Sequence, residues 1–193
     1  MSALPKIGFI GIGMMGHGMA KNLLAKGYPM TFKVNRDRSR LDDLIAAGAQ
    51  EAKSNAEVAR GADIVFLCVS SSPQIESIVH GPEGLLSSAR NGLVVVDTST
   101  AEPSSTERLR ADFARRGTRY IDAPLARTPK EAEEGRLNTM VGAEPGGPTW
   151  KTFSQNACST GLMLKKSAGS APTMVFRRPS SASFGVRASG ASM

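Results

Sequence analysis

Cysteine, histidine and aromatic side chains are scarce: the 193 residues include two Cys, two His, one Trp, two Tyr and seven Phe. Each scarcity removes a class of function. Cys68 sits in an apolar run and Cys158 far away in a polar stretch, which reads as ordinary thiols and not as a disulfide framework. His17 and His80 are widely separated, and the cysteines do not complete a metal-ligand spacing with them, so no metal is expected. The longest apolar runs, Ile64 to Val69 and Leu93 to Val96, fall far short of the ~20 residues a bilayer-spanning helix needs. Met1 to Lys6 leads straight into Ile7-Gly8-Phe9-Ile10 without a basic region, a long apolar core or a small-residue cleavage site. A cytoplasmic protein with no membrane contact is the expectation.

Acidic residues are missing from one part of the chain. Up to Glu144 there are 18 Lys and Arg against 17 acids, whereas Pro145 to Met193 holds six bases and no acid. The formal charge of +7 is therefore a property of the tail. Trp150, Phe153, Phe176 and Phe184 are scattered there with no interleaving of aromatics and bases, so no nucleic-acid partner is expected.

Up to about Gly142, short β-branched runs alternate with amphipathic stretches, the pattern of repeated βα units and a mostly parallel sheet covered on both faces. Strands are predicted at 7–10, 30–34, 63–69, 93–97, 119–122 and 138–141. Gly27, Gly48, Gly61 and Gly117 each follow a helical pattern, where a residue free to take positive φ can close the helix. Three helix starts carry capping-box spacing: Ser54 with Glu57, Ser104 with Glu107, and Thr128 with Glu131, the last with Pro129 at the first helical position. Pro145-Gly146-Gly147-Pro148 then breaks structure, and the remainder lacks a period of two or 3.6. Two accounts of this tail stand side by side: a disordered segment, or a misread or frameshifted 3′ end.

Gly11-Ile12-Gly13-Met14-Met15-Gly16 matches G-x-G-x-x-G directly after the first strand, and it opens a helix to about Lys26 on which Met15, Met19 and Leu23 share a face. Gly11 suits the tight turn, Gly13 the approach of a pyrophosphate to the backbone, and Gly16 close packing of helix on strand. The diphosphate is expected on the helix N-terminus. At the end of the second strand, Val34-Asn35-Arg36-Asp37-Arg38 lacks the acid that would accept the ribose hydroxyls. Asn35 cannot repel a 2′-phosphate and Arg36 can present a planar fork to it, which favours NADP. In the alternative, Arg36 stacks on adenine, Asp37 takes the ribose and NAD is used.

Three segments resemble the β-hydroxyacid dehydrogenase family, which includes 3-hydroxyisobutyrate and tartronate semialdehyde enzymes. They are the extended loop from Phe9 to Leu24, the Asp97-Thr98-Ser99-Thr100 segment, and Asp122-Ala123-Pro124 followed by Gly135-Arg136-Leu137. The resemblance implies a Rossmann-like doubly wound domain followed by an all-helical domain, acting on a small 3-hydroxy acid. It implies a cofactor set of Gly11, Ile12, Gly13, Met14, Met15, Gly16, Asn35, Arg36, Val69, Ser70 and Thr100, with Thr100 beside the nicotinamide. Ser99, Arg127 and Thr128 form the implied substrate set. Ala126-Arg127-Thr128 departs from the family's usual Ser-Gly-Gly toward the arginine-bearing version of sulfolactaldehyde reductases, so a carboxylate or sulfonate is expected at Arg127.

The family's catalytic lysine lies in a Lys-x-x-Asn context that equal spacing would put near Val175, and nothing there matches. Lys165 and Lys166 lack the downstream asparagine. The expected organisation is thus a dinucleotide-binding domain over 1–143 and an irregular basic tail over 144–193 in place of the helical domain. Its partner is a small anionic hydroxy acid or semialdehyde, and the uncovered domain face favours self-association. The alternative function is a non-catalytic dinucleotide-binding fragment or gene remnant.

Overall fold

Ile7–Ile10 (β1), Ile64–Leu67 (β4) and Val94–Asp97 (β5) are buried at every position, as continuous apolar runs must be in a parallel sheet covered on both faces. The computed structural model of the chain describes residues 4–34, 38–126, 128–141, 162–165 and 173–176. Its main sheet has six strands in the order β3-β2-β1-β4-β5-β6, all parallel, where β2 is Met30–Lys33, β3 Gln50–Glu51 and β6 Arg119–Asp122. β2 lies next to the edge and alternates buried and half-buried residues, so one of its faces is less completely covered.

Period-two alternation sends neighbouring strand residues into opposite layers. Phe9 and Phe66, stacked with centroids 5.9 Å apart, join Met19 and Leu23 of helix α1 (Met14–Ala25) and Leu44 of α2 (Asp42–Ala46) on one side. On the other side Ile10, Val65 and Leu67 pack with Val58 of α3 (Asn55–Gly61), Ile75 and Val79 of α4 (Ser72–His80), and Leu109 and Phe113 of α5 (Pro103–Ala114). No helix among the described residues is long and apolar enough to cross a membrane.

The predicted strands appear within a residue or two of their expected ends, while β3, two residues long, was too short to show a period. Gly27, Gly48 and Gly117 take positive φ as expected, but Gly61 does not. It forms the last position of α3, which leaves through extended Ala62 (φ −103°) straight toward β4, so no left-handed residue is needed. Ser54 Oγ accepts from the Glu57 N–H at 3.2 Å, but the Glu57 carboxylate turns back to the N–H of Lys53 instead of Ser54. At Ser104 no cap forms, because Pro103 already starts α5 and the cap position falls to Glu102.

Leu125–Ala126 (β7) and Asn138–Met140 (β8) pair antiparallel, with α6 (Pro129–Glu133) between them. Thr139 Oγ1 fixes this unit to the main sheet by donating to the carbonyls of Ala123 (2.5 Å) and Pro124 (2.9 Å). Beyond residue 144 two four-residue strands extend the small sheet: β9 (Leu162–Lys165) pairs with β10 (Thr173–Phe176), and β10 with β8. Neither run was expected from the sequence, which over 144–193 reads as an irregular tail without a sustained period.

Candidate functional site

The strand order reverses between β1 and β4, and at the carboxyl ends of these two strands a crevice of about 650 Å³ opens. That edge is where open α/β sheets take ligands. Gly11, Ile12 and Gly13 form one wall, Val34 closes the end of β2, and Cys68, Val69 and Ser70 with Pro73, Gln74 and Ser77 form the wall opposite. Gln74 Oε1 accepts from the Ser70 N–H at 3.2 Å and so shapes the loop after β4.

The glycines carry distinct loads. Gly11 has φ +102°, and a Cβ there would lie 2.1 Å from the Cys68 carbonyl oxygen, so the turn admits no side chain. At Gly16 a Cβ would lie 1.9 Å from the Gly11 carbonyl oxygen and 3.1 Å from the Phe9 ring, which lets α1 press against its own strand. Gly13 differs: a Cβ added there meets nothing within 4 Å. It is the N-cap of α1, contributes no side-chain cap, and the first turn holds no acid. The free N–H groups and positive end of a twelve-residue helix thus face the crevice. These residues fit a diphosphate.

Of the remaining predicted cofactor residues, Met14 is 63% exposed at the start of α1, Met15 packs partly against the core, and Asn35 and Arg36 lie outside the described residues. At the end of β5 the polar segment is largely engaged in the fold. The buried Asp97 accepts from the Ser99 N–H (2.9 Å) and from the Tyr120 hydroxyl (2.5 Å). Thr98 Oγ1 donates to the Leu67 carbonyl at 2.6 Å, and Ser99 Oγ accepts from the Val69 N–H at 3.0 Å. Ser99 is thereby buried behind the β4 loop, while Thr100 is exposed at the strand's carboxyl end.

Burial and the neighbouring Asp97 hold the Tyr120 phenol far above its ordinary range, so it stays a donor. Burial, with the Asp97 charge, also raises the Asp122 carboxyl, and burial keeps the Cys68 thiol protonated. Arg127 lies outside the described residues. Thr128 is exposed at the start of α6, and its N–H is taken by Glu131 Oε2 at 3.0 Å in the expected capping box, so that donor is not free for an anion.

A third group of residues has no counterpart in the sequence expectations. Asn22 Nδ2 donates to the carbonyls of Gly18 (2.8 Å), Ala132 (2.9 Å) and Glu133 (3.1 Å), sewing α1 to the end of α6. A Cβ on Gly18 would stand 2.6 Å from the α6 backbone. His17 reaches Glu133 with Nδ1 (2.7 Å) and Asp43 with Nε2 (3.0 Å), with Lys21 3.8 Å from both carboxylates. Burial opposes a charge on this imidazole, but the two carboxylates outweigh burial and hold its pKa above the ordinary value. Both ring nitrogens facing carboxylates suits the doubly protonated form. The signal was present as the i, i+4 pair Gly18 and Asn22, small and polar on a flank where a core face would be apolar.

Comparison with known proteins agrees with this geometry. Residues 6–152 match the family described as the NAD binding domain of 6-phosphogluconate dehydrogenase. The chain belongs to this family. It is an NAD(P)-binding domain of the kind found in hydroxyacid dehydrogenases, and its cofactor is a nicotinamide dinucleotide. Among curated relatives it is 40% identical over 138 residues to 2-(hydroxymethyl)glutarate dehydrogenase of Eubacterium barkeri, covering 72% of this chain and 46% of that protein. It is 36% identical over 143 residues to the mitochondrial 3-hydroxyisobutyrate dehydrogenase of Mus musculus, covering 74% of this chain and 42% of the relative. Among solved structures, Psf3 in complex with NADP+ and 2-OPP superposes with a TM-score of 0.70 at 34% identity, covering 80% of this chain and 53% of that one. This NAD(P)-binding domain therefore spans about half the length of the relatives it matches.

Proposed function

We propose that the chain binds NADP(H) in preference to NAD(H) and forms the cofactor half of an oxidoreductase acting on a small 3-hydroxy acid or its semialdehyde. The observation that carries this reading is the crevice at the β1–β4 switch point, where Gly13 leaves room for a diphosphate against the uncapped start of α1. Asn35 and Arg36 in place of an acid support the preference for a 2′-phosphate, as does the NADP+ bound by the related Psf3. When bound, the nicotinamide supplies the hydride or accepts it. Thr100, exposed at the carboxyl end of β5, borders that ring, with Ser99 behind it, and Arg127 receives the substrate's carboxylate or sulfonate.

No lysine of this chain stands in a Lys-x-x-Asn context, so the group that would move the hydroxyl proton is not identified among its residues. That observation favours a second reading, a dinucleotide-binding module without turnover of its own. Losing the proton-transfer group alone would slow the reaction roughly 10²- to 10⁴-fold. Titrating the chain with NADPH and NADH by cofactor fluorescence, beside steady-state assays with small hydroxy acids, semialdehydes and sulfolactaldehyde, separates the two. Tighter NADPH binding without turnover is expected. Arg36→Glu should weaken NADPH by ~1 to 3 kcal/mol and largely spare NADH. Turnover near ~1 to 10³ s⁻¹ would assign proton transfer to a residue of this chain.

A further inference from the structure

Beside the main crevice lies a smaller chamber of about 160 Å³, formed by Ile10, Lys33 and Val34 on the sheet side and Asn55 and Ile78 across from them. Lys33 is the last residue of β2, and strand alternation turns it away from the layer that buries Phe32 and Val34. Its ammonium donates to the Val34 carbonyl at 2.9 Å. The charge is thus bent over the end of the strand, one peptide bond from Asn35, the residue expected at the adenosine ribose.

Glu51 on the adjoining strand feels that charge without pairing to it. Among the described residues no carboxylate lies within 4.0 Å of the ammonium, and Glu51 is gripped by both terminal nitrogens of Arg38 at 2.9 and 2.6 Å. An ammonium has three donors, and the Val34 carbonyl occupies one. Holding a long cationic side chain half-buried over one carbonyl costs rotamer freedom and hydration that a single neutral acceptor does not return. An anion at this position would.

We propose that Lys33 is a second cation for the cofactor's 2′-phosphate, donating from the sheet side of the small chamber at the carboxyl end of β2, in addition to the Arg36 that the sequence suggests for the same group. This rests on the NADP reading above and adds a specificity-determining residue to it. Charge-assisted contacts of this kind are about twice as strong as neutral ones, so loss of one changes affinity roughly tenfold.

The test is titration of the full chain and of Lys33→Met, Lys33→Gln and Lys33→Arg with NADPH, NADH, 2′,5′-ADP and 5′-ADP at two salt concentrations, with thermal melts showing each variant folded. Both neutral variants should weaken NADPH and 2′,5′-ADP roughly tenfold, shift NADH and 5′-ADP less than twofold, and flatten the salt dependence, while Lys33→Arg keeps most of the preference. Equal weakening of phosphorylated and unphosphorylated ligands, or no change in either neutral variant that folds, overturns the assignment. If the parent chain itself shows no preference for NADPH, the cofactor reading falls and Lys33 with it. If the parent prefers NADPH, Arg36→Glu removes the preference and Lys33→Met leaves the ratio intact, the Lys33 inference alone is overturned.

Discussion

Gly13 and Gly18 belong to the same helix, yet a methyl group added to each meets different surroundings: nothing within 4 Å at Gly13, and the α6 backbone at 2.6 Å at Gly18. The first borders open space at the crevice, which the proposed diphosphate would fill. The second is small because protein already fills the space. Adjacent residues sharpen the contrast, since the start of α1 has no side-chain cap whereas Asn22, farther along, donates three hydrogen bonds to backbone carbonyls. A glycine-rich stretch therefore divides into a ligand-facing part and a chain-facing part, and sequence spacing alone does not mark the division.

Substitutions can separate the two parts, beginning with the largest effect. Gly13→Val places a branched side chain in open space at φ −89°, ψ −164°, which any residue adopts. It should weaken dinucleotide binding by about 100-fold or more by blocking the diphosphate, while the melting temperature stays near that of the parent. Normal binding by that variant would move the phosphate site elsewhere. Gly18→Val should do the reverse, lowering stability by about 2 to 3 kcal/mol through overpacking against α6. Urea unfolding should show a lower midpoint, with cofactor affinity retained at low temperature.

Asn22→Ala removes three donor contacts and should cost about 1 to 2 kcal/mol, because the carbonyls it served sit at a packed helix junction. A loss of affinity larger than the loss of stability would tie α6 to the cofactor directly. The smallest effect concerns His17. Its pKa is raised in the folded chain, so its contribution is fully present below its unfolded value of about 6.5 and is lost as pH rises through the folded value. The partner carboxylates are 45% and 39% exposed, so this contribution amounts to about 1 kcal/mol or less. Stability measured between pH 6 and pH 9 should fall more steeply in the parent than in His17→Gln; parallel curves would show that the imidazole titrates without consequence.

Much of the fold was legible because buried parallel strands write themselves as short continuous apolar runs, as at Ile64–Leu67 and Val94–Asp97. The glycine turn was legible for a related reason, since its glycines stand between a strand and a helix. What escaped was set by distance in the chain. Asn22 reads as an ordinary helix-surface residue until α6 is folded back upon it, and nothing near Ser99 in the chain announces that the Val69 N–H donates to its hydroxyl. β3 escaped because two residues cannot display a period, and β9 because its surroundings carry no alternation of strand and helix patterns to set it in.

The bond from Asn22 to the Glu133 carbonyl joins residues 111 apart in sequence, which gives it a timing as well as an energy. A ribosome adding ~5 to 20 residues per second needs on the order of 5 to 20 s to travel from one partner to the other. Throughout that interval β1 and α1 are already made, and the flank carrying His17, Gly18 and Asn22 has no α6 to receive it. The nascent chain thus presents α1 with one side unfinished, and closure of that side waits for nearly the last element of the main sheet's domain to be synthesised.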